Sequence, residues 1–505
     1  MAVTLGPLDL VVVDSLETAL HTHFGWSRFR AGQRPVVEAV LSGRDALAVL
    51  PTGGGKSLCY QLPALIRGGL VVVISPLVAL MEDQVLQLRR RGIAAACLHA
   101  GLDPVRRQQA MAALRDESLR LLYLAPERLQ GEATQRLLET HAAEGRLVAL
   151  AVDEAHCISA WGHDFRPDYR RLGLIRRLCP GVPMLALSAT AAPRVRADIL
   201  RLLDLRSPLV QVSSARRENL RYAMQRRPRD PMPQVLEALE QSRGATLIYA
   251  RTRRSVEHWA ERLQGESVEA TPYHAGLDPA TRQTALTQFL EQERPVLVAT
   301  VAFGMGVDRG DVGLVLHLDL PSTPEGYRQE SGRAGRDGQP ARCLVLFSPG
   351  DRTSLGWAMR AAAGRGTTPD ERHRLDLAQQ QLRRMEAVAE GEMCREQALL
   401  LAVGELVDPC GRCDRCSASP KRKDRSRQAT TLLTHLDDLD GTDMRRLGEH
   451  LALHETGQGE RWTWLARRLV QEELIRESND GVQRLQLRDS GRRYLERPWP
   501  LDFAA

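Results

Sequence analysis

The sequence lacks any apolar run long enough to cross a membrane. Its longest run, residues 69–81, contains Ser75 and Pro76 and is shorter than the roughly 20 residues that a spanning helix needs. The N-terminus also lacks the basic stretch, apolar stretch and cleavage site of a secretory signal peptide. We therefore expect a cytoplasmic protein with no membrane partner.

Aromatic residues are scarce, at 4% of the 505 residues, and nine cysteines occur without a secretion signal. Because the cytosol keeps thiols reduced, clustered cysteines there are more often metal ligands than disulfides. The net charge is only +6, which favours a polyanionic partner weakly. The length exceeds that of one ordinary core, so we expect three or four domains.

Short apolar runs alternate with helical patterns from about residue 45 to residue 347. Such alternation predicts an α/β fold with parallel sheets covered by helices. The predicted strands form two series: 46–50, 70–74, 119–124, 147–152 and 184–187, then 245–249, 296–299, 314–318 and 343–347.

The sequence contains an internal repeat. Residues 99–104 read His-Ala-Gly-Leu-Asp-Pro, and the same six residues recur at 274–279, an offset of 175. The same offset aligns Arg107 and Gln108 with Arg282 and Gln283. A register kept over this length predicts two similar α/β lobes.

Composition changes mark the predicted boundaries between domains. Residues 206–230 carry seven Arg against two acidic residues, which we interpret as a basic hinge. After residue 349 the strand pattern stops, and residues 370–407 are predicted to be helical. Helical stretches followed by a hairpin, with strands at 474–476 and 482–487, suit a winged helix. The predicted domains are 1–207, 208–350, 351–420 and 421–505.

Residues 51–57 read Pro-Thr-Gly-Gly-Gly-Lys-Ser, between a predicted strand and a predicted helix. Glycines let backbone N–H groups converge on phosphates, and the following helix adds its N-terminal dipole. Lys56 would reach the β- and γ-phosphates, and Ser57 would ligate Mg²⁺. The alternative is a glycine-rich turn that ends in Lys-Ser by chance. The predicted nucleotide-binding residues here are Thr52, Gly53, Gly54, Gly55, Lys56 and Ser57.

Charged side chains elsewhere would complete such a site. Asp153 would hold Mg²⁺ at the end of the strand 147–152, and Glu154 would orient and deprotonate the attacking water. In the second lobe Arg333 and Arg336 are three residues apart and share a helical face. Across a cleft they would neutralise charge on the γ-phosphoryl group, although an Arg-rich solvated loop is the alternative. Gln329 precedes them and is also predicted to be catalytic.

These motifs together resemble those of superfamily-two helicases, and specifically of the RecQ family. Residues 24–33 resemble the adenine-reading motif of that family, which implies that Trp26 stacks on the base, Arg30 supports it and Gln33 hydrogen-bonds its edge. Residues 188–190, Ser-Ala-Thr, resemble a coupling motif, and residues 299–308 resemble the lobe-two motif that faces ATP and strand. The implied DNA-binding and coupling residues include His156, Ser188, Thr190 and Asp308.

Residues 159–167 contain two of the scarce aromatic residues and follow the predicted catalytic strand closely. An exposed aromatic side chain stacks on a base for roughly 1–3 kcal/mol without sequence preference. The alternative is core packing, but the Gly, His, Asp and Pro of this segment disfavour a buried strand. In the resembled family it is the aromatic-rich loop that makes hydrolysis depend on bound single strand. The resemblance assigns this role to Trp161, His163, Phe165 and Arg166.

Four of the cysteines, Cys394, Cys410, Cys413 and Cys416, have the spacing of a metal site. Thiolates two residues apart can share one tetrahedral ion, and four of them close a structural zinc site. An iron–sulfur cluster is the alternative, although it ordinarily uses different spacings. The pattern also resembles the RecQ zinc module.

The resemblance implies two RecA-like parallel-sheet lobes, then a zinc-binding helical module and a winged helix. It also implies an ATP-dependent DNA helicase that moves 3′ to 5′ in recombination and repair, with ATP, Mg²⁺ and Zn²⁺ as cofactors. The expected partners are single-stranded and forked DNA, with a single-stranded-DNA-binding protein as a candidate, in a nucleoid-associated location. The alternatives are an ATP-switched DNA-binding module that does not unwind, and an RNA helicase.

Some features depart from the family pattern. Glu82 stands where many relatives carry Lys, so we assign it no DNA contact. The turn at 479–481 is short, which predicts no long strand-splitting pin. The chain ends at Ala505, so no HRDC domain is expected after the winged helix. The pairs Arg467-Arg468 and Arg492-Arg493 are candidate DNA-docking patches.

Overall fold

The structure is a computed structural model that describes residues 13–161, 165–301, 303, 309–362, 368–418, 422–439, 441–452, 459–478 and 484–504. Lobe one contains a seven-stranded parallel sheet in the order β3-β4-β2-β5-β6-β1-β7. Its strands are β1 (Ala46–Val49), β2 (Leu70–Ile74), β3 (Ala95–Leu98), β4 (Leu121–Leu124), β5 (Leu147–Val152), β6 (Met184–Ser188) and β7 (Leu209–Val212).

Helices cover both faces of this sheet, because alternate residues of its central strands feed two separate cores. Val72 of β2 packs into one core, and its neighbours Val71 and Val73 pack into the other. The helices are α1 (Val13–Phe24), α2 (Gln33–Leu41), α3 (Leu58–Arg67), α4 (Val78–Arg90), α5 (Pro104–Arg115), α6 (Glu132–Ala143), α7 (Gly173–Leu178) and α8 (Pro193–Leu202).

Lobe two contains a six-stranded parallel sheet in the order β10-β11-β9-β12-β13-β8. Its strands are β8 (Leu220–Arg226), β9 (Ala245–Tyr249), β10 (Ala270–Tyr273), β11 (Val296–Ala299), β12 (Val312–His317) and β13 (Ala341–Phe347). Its helices are α9 (Met232–Glu240), α10 (Arg253–Gly265), α11 (Pro279–Glu291) and α12 (Pro324–Ser331).

The two lobes repeat one scaffold, as the sequence predicted. Strands β2, β3 and β4 begin at positions 70, 95 and 121, and β9, β10 and β11 begin at positions 245, 270 and 296. Each pair of strands thus keeps the offset of the sequence repeat, and helix α10 repeats the bounds of α4 at that same offset. The six strands of lobe two also follow the order of the first six strands in the sheet of lobe one. The repeat therefore extends well beyond the six identical residues.

The segment predicted to be a basic hinge forms two edge strands. Strand β7 pairs with β1 of the first sheet, and β8 pairs with β13 of the second. The chain therefore crosses between the sheets at residues 213–219, after the proposed boundary at residue 207. Strands β3, β7, β8 and β10 were not predicted, since their sequences are short or carry polar residues.

A helical module follows and packs on lobe two. It consists of α13 (Pro349–Ala362), α14 (Pro369–Glu390), α15 (Arg395–Ala402) and the short α16 (Asp414–Ser417). Helix α14 begins with a capping box between Thr368 and Glu371. Leu382 and Met385 of α14 join the core of lobe two, and the Asp414 carboxylate accepts a 3.1 Å hydrogen bond from the Met224 N–H of β8.

The C-terminal segment has the element order of a winged helix. It contains α17 (Ser426–Asp438), β15 (Thr442–Asp443), α18 (Met444–Ala452), α19 (Gly459–Gln471), β16 (Ile475–Glu477), β17 (Arg484–Leu487) and α20 (Asp489–Glu496), and β14 (Arg422–Asp424) pairs with β18 (Asp502–Ala504). Strands β16 and β17 form the predicted antiparallel hairpin. The turn at 479–481 lies outside the described residues.

Ion pairs fix α19 against the helical module. The Arg467 guanidinium lies 2.9 Å from the Glu390 carboxylate, and the Arg468 guanidinium lies 3.0 Å from that of Glu392. The interpretation of this arginine pair as an exposed DNA patch was therefore wrong, because glutamates that are distant in sequence neutralise both side chains. Within the described ranges, no helix is long and apolar enough to cross a membrane.

Candidate active site

The glycine-rich loop between β1 and α3 needs its glycines. Gly53 and Gly55 adopt φ angles of +78° and +72°, which lie in the left-handed region that favours glycine. A Cβ atom on Gly54 would lie 2.8 Å from the carbonyl oxygen of Pro51. The loop runs directly into α3, since Ser57 is the residue before its first turn. Backbone N–H groups and a helix N-terminus therefore meet here, as in a phosphate-binding site.

The predicted adenine-reading residues contact this loop. The buried Gln33 amide donates hydrogen bonds to the carbonyls of Gly54 and Gly55, at 3.1 and 2.9 Å. Its oxygen accepts the Arg30 N–H at 2.7 Å, and the Arg30 guanidinium donates to the Gly53 carbonyl. The sequence did not reveal this role, and the predicted contact of Gln33 with a base edge stays a prediction.

Trp26 lies at the mouth of the same site. Its ring stacks on Phe24 with centroids 5.4 Å apart and an interplanar angle of 18°. The side chain is still 43% exposed and lines the cavity next to Lys56 and Ser57. This placement is compatible with the predicted stacking on a base.

Asp153 follows β5 and is buried. The Asp153 N–H donates to the Ile74 carbonyl at 2.8 Å, and the Asp153 carbonyl accepts a 3.0 Å hydrogen bond from the Tyr169 hydroxyl. Burial, together with the nearby charge of Glu154, raises the pKa of the Asp153 carboxyl to about 7, although Lys56 opposes the shift. A divalent cation beside this carboxylate would favour its ionised form, so the side chain suits Mg²⁺.

Glu154 connects the acidic pair to the predicted coupling motif. Its φ of +47° is unusual for a residue other than glycine. Its carboxylate lies 3.2 Å from the His156 Nδ1 atom, which in turn lies 3.1 Å from the Ser188 hydroxyl. That hydroxyl donates to the Thr190 carbonyl at 2.8 Å. The structure therefore connects the predicted general base with the Ser-Ala-Thr motif through one chain of polar contacts.

The seven predicted catalytic side chains line one cavity of about 880 Å³ between the lobes. A Cβ atom on Gly53 would lie 3.7 Å from the Arg336 Cγ atom. A Cβ atom on Gly332 would lie 3.4 Å from the Thr52 Cβ atom. Lobe two therefore approaches the phosphate loop so closely that one added methyl group on either glycine would reach the other lobe. The lining residues with predicted catalytic roles are Lys56, Ser57, Asp153, Glu154, Gln329, Arg333 and Arg336.

The described residues of the aromatic-rich loop contact neighbouring parts of the protein. Trp161 is half-buried, because the Arg194 guanidinium carbon lies 3.9 Å from its ring centroid. Phe165 is half-buried with Arg170 over its ring at 4.9 Å, and Arg166 donates to the Pro76 carbonyl at 2.8 Å. Trp161 also packs against the core of lobe one, and its predicted role in coupling stays a prediction. His163 and Asp308 lie outside the described residues.

The four predicted metal ligands converge. The sulfur atoms of Cys394, Cys410, Cys413 and Cys416 all lie within 4.8 Å of one another, and the Cys394 and Cys413 sulfurs are 3.9 Å apart. A Zn–S distance of about 2.3 Å in a tetrahedron separates sulfurs by about 3.8 Å. Backbone N–H groups of Cys410 and Cys413 donate to the sulfurs of Cys394 and Cys410, at 3.2 and 3.3 Å. The donor set fits a structural zinc ion.

Three family models match consecutive parts of the chain. Residues 30–199 match the DEAD/DEAH box helicase model, residues 230–338 match the helicase conserved C-terminal domain, and residues 350–417 match the RecQ zinc-binding domain. With the interlobe cavity, these matches define a chain of two helicase-type lobes followed by a zinc-binding domain.

Sequence similarity to known proteins identifies the family of this chain. The chain is 40% identical over 409 residues to the ATP-dependent DNA helicase RecQ of Haemophilus influenzae, covering 81% of this chain and 64% of that protein. It is 38% identical over 450 residues to the RecQ helicase of Pasteurella multocida, covering 89% and 67%. The chain therefore belongs to the RecQ family of ATP-dependent DNA helicases, and it spans about two thirds of the length of these two relatives.

Solved structures show the same fold at lower identity. The helicase Lhr of Mycobacterium smegmatis, bound to single-stranded DNA and AMP-PNP, aligns with a TM-score of 0.55 and 18% identity, over 95% of this chain and 61% of that one. The DEAD-box helicase Mss116, bound to single-stranded RNA and UDP-BeF, aligns with a TM-score of 0.55 and 15% identity, over 78% and 90%.

Proposed function

We propose that this chain hydrolyses ATP at the seam between its two lobes and uses the energy to move along single-stranded DNA and unwind duplexes. The observation that carries the proposal is that Arg336 lines the same cavity as the phosphate loop, where a Cβ atom on Gly53 would touch its side chain. A cavity lined by both lobes can couple the state of the nucleotide to the distance between them.

The residues of the cavity divide the chemistry between them. Lys56 and the loop N–H groups hold the β- and γ-phosphates, and Glu154 takes the proton of the attacking water. Ser57 and Asp153 would hold Mg²⁺, which supplies charge neutralisation at the phosphates. Arg333 and Arg336 neutralise the charge that develops on the transferred phosphoryl group, and Gln329 orients groups beside them.

The polar chain from Glu154 through His156 to Ser188 and Thr190 supports coupling between hydrolysis and DNA. Trp161, Phe165 and Arg166 lie on the loop after this chain and would hold bases and phosphates. Separating one base-pair step costs about 1.4 kcal/mol in stacking, so one nucleotide of travel per ATP is energetically feasible. Movement 3′ to 5′, and a role in recombination and repair, are the parts of the proposal that rest on family membership alone.

The proposal extends to partners and location. Single-stranded and forked DNA are the substrates, and a single-stranded-DNA-binding protein is the candidate protein partner. A helicase acting on chromosomal DNA works in the cytoplasm beside the nucleoid. Two alternatives remain from the sequence: an ATP-switched DNA-binding module and an RNA helicase. Unwinding of a forked duplex excludes the first, and stronger stimulation by DNA than by RNA excludes the second.

ATP hydrolysis measured with and without a short oligo(dT) strand tests the proposal. We expect strong stimulation by the strand in the wild-type protein. Lys56→Ala should abolish hydrolysis while the DNA affinity stays within about threefold, because the loop holds phosphate and not strand. Unchanged hydrolysis by Lys56→Ala, or no stimulation of the wild-type protein by any strand, would contradict the proposal.

A further inference from the structure

Trp161 packs against the core of lobe one, and its ring is also contacted by two side chains that come from different parts of the molecule. The Arg194 guanidinium covers one face of its indole ring, with the guanidinium carbon 3.9 Å from the ring centroid. The His373 ring contacts it edge-on, with centroids 5.7 Å apart and an interplanar angle of 83°. Arg194 belongs to lobe one and His373 to the zinc-binding module, so Trp161 lies where these two parts meet.

We propose that Arg194 and His373 are positioning residues that hold Trp161 in its DNA-free conformation, and that single-stranded DNA must replace the Arg194 guanidinium on the ring face. The inference deepens the proposed function and rests on it. A guanidinium and a nucleobase both bind the flat face of an indole ring. They therefore compete for one surface, and the strength of the Arg194 contact sets how readily the loop engages a strand.

The position of Arg194 connects this contact to the nucleotide site. Helix α8 begins at Pro193, shortly after Thr190 of the coupling motif, and Arg194 is its second residue. The same helix also anchors the start of the aromatic loop, since the Ser159 hydroxyl donates to the Asp198 carboxylate at 2.7 Å. The Trp161 N–H then donates to the Ser159 hydroxyl at 3.1 Å. A shift of α8 would therefore move the loop and its ring together.

The position of His373 connects the contact to the winged helix. His373 lies in the first turns of α14, whose 22 residues span about 33 Å. The last residue of α14, Glu390, pairs with Arg467 of α19 at 2.9 Å. One rigid helix thus touches the aromatic loop at one end and the winged helix at the other. Release of Trp161 by a strand removes one of the contacts that orient this helix.

Variants at the two positions test the inference without threatening the fold, because both side chains are exposed. Arg194→Ala and the double variant Arg194→Ala/His373→Ala should raise ATP hydrolysis in the absence of DNA about three- to tenfold. The oligo(dT) concentration for half-maximal stimulation should fall by a similar factor, since a contact of this class is worth about that much in an equilibrium. The maximal rate with saturating strand should stay unchanged.

Two controls separate positioning from general effects. Arg194→Lys keeps a cation over the ring and should restore most of the wild-type behaviour. Arg372→Ala removes an exposed positive charge beside His373 and should leave both quantities unchanged. DNA-free hydrolysis and half-saturating strand concentration within twofold of wild type in the double variant would overturn the inference. If the wild-type protein itself shows no stimulation by DNA, the proposed function fails instead.

Discussion

The two lobes share one scaffold, with a constant sequence offset between strands β2–β4 and β9–β11, yet the segments that follow β1 and its counterpart in lobe two differ in chemistry. After β1 of lobe one the chain continues as Pro51–Ser57, with three glycines and a lysine. Strand β8 is the counterpart of β1 at that offset, and the chain then continues through Arg226, Arg227, Pro228 and Arg229. The first segment is the proposed phosphate-binding loop, and the second carries three arginines of its own.

Arg227 forms ion pairs with two acidic residues of its own lobe. Its guanidinium lies 2.8 Å from the Asp319 carboxylate and 2.5 Å from that of Asp351. Asp319 follows β12 as Asp153 follows β5, so an acidic residue stands near the same place in both lobes. In lobe one Lys56 and a ligand would balance that acid, whereas in lobe two the chain balances it with Arg227. The arginines of lobe two that line the interlobe cavity, Arg333 and Arg336, come from a different segment.

Loss of zinc should give the largest difference in thermal stability between the two lobes. Cys413→Ser leaves three thiolates for a site whose apparent binding free energy is roughly 10–16 kcal/mol in small zinc modules. We expect zinc content to fall from one ion per chain towards zero and the thermal unfolding of lobe two and its module to start much earlier. Cys97→Ser, in lobe one, is the control. A zinc-free variant that unfolds like wild type would show that the module needs no metal.

Arg336→Ala should uncouple ATP binding from hydrolysis. An arginine finger is worth about 10³–10⁵ in rate, or roughly 4–7 kcal/mol of barrier, and the loop that binds ATP stays intact. Single-turnover hydrolysis and the affinity for a fluorescent ATP analogue measure the two effects. Arg342→Ala, in the same lobe, should change neither. Loss of analogue binding in Arg336→Ala would make the residue part of the binding site.

Arg227→Ala should destabilise lobe two and spare the nucleotide site. Loss of the Arg227 contacts should cost about 1.5–3 kcal/mol, because the Asp351 carboxylate stays buried but keeps the N–H groups of Leu320 and Ser348 as donors. We expect an earlier unfolding transition for lobe two, with ATP-analogue binding unchanged. Arg229→Ala removes an exposed arginine two positions away and serves as the control. If Arg227→Ala stays stable but loses ATP binding, the comparison of the two positions is wrong.

Replacing either of two glutamates that are related by the repeat should have the smallest effect on stability. Glu82 and Glu257 are related by the offset of the repeat, and their carboxylates lie 3.5 and 3.1 Å from the buried His99 and His274 rings. Both glutamates are largely exposed, so each contact is worth at most about 1 kcal/mol. Glu257→Ala should lower the unfolding midpoint slightly more than Glu82→Ala, since its contact is shorter. The reverse order would show that the repeated pairs have different roles.

These glutamates also illustrate what the sequence could and could not predict. The sequence identified Glu82 only as a departure from the family pattern, because its partner His99 directly follows a strand, β3, that was too short to recognise. Buried runs such as β2 and β9 were predicted to the residue, since continuous apolar sequence is diagnostic of a central parallel strand. The edge strand β8 alternates buried and exposed residues, and its arginines concealed that pattern.

The candidate site likewise contains residues that the sequence predicted and contacts that it could not predict. Its phosphate loop, acidic pair and cysteines are contiguous or regularly spaced, so sequence reasoning found them. The hydrogen bonds from Gln33 to the phosphate loop and the contact of Arg194 with the Trp161 ring join residues that are distant in sequence and meet only after folding. The pairing of Arg467 with Glu390 is of the same kind, because nothing in the local sequence marks a charge as neutralised.

A cross-link between the lobes tests most directly whether the nucleotide site lies at their seam. Thr52→Cys combined with Gly332→Cys would place two Cβ atoms about 3.4 Å apart, near the roughly 3.5–4.5 Å typical of a disulfide, once the end of α12 shifts to relieve a 2.8 Å approach of the new Cβ atom to the Arg328 carbonyl oxygen. We expect rapid cross-linking on oxidation with an ATP analogue bound, loss of ATP hydrolysis, and recovery on reduction; neither single variant should respond. Failure to cross-link with and without nucleotide, while both thiols remain reactive, would contradict the interlobe site.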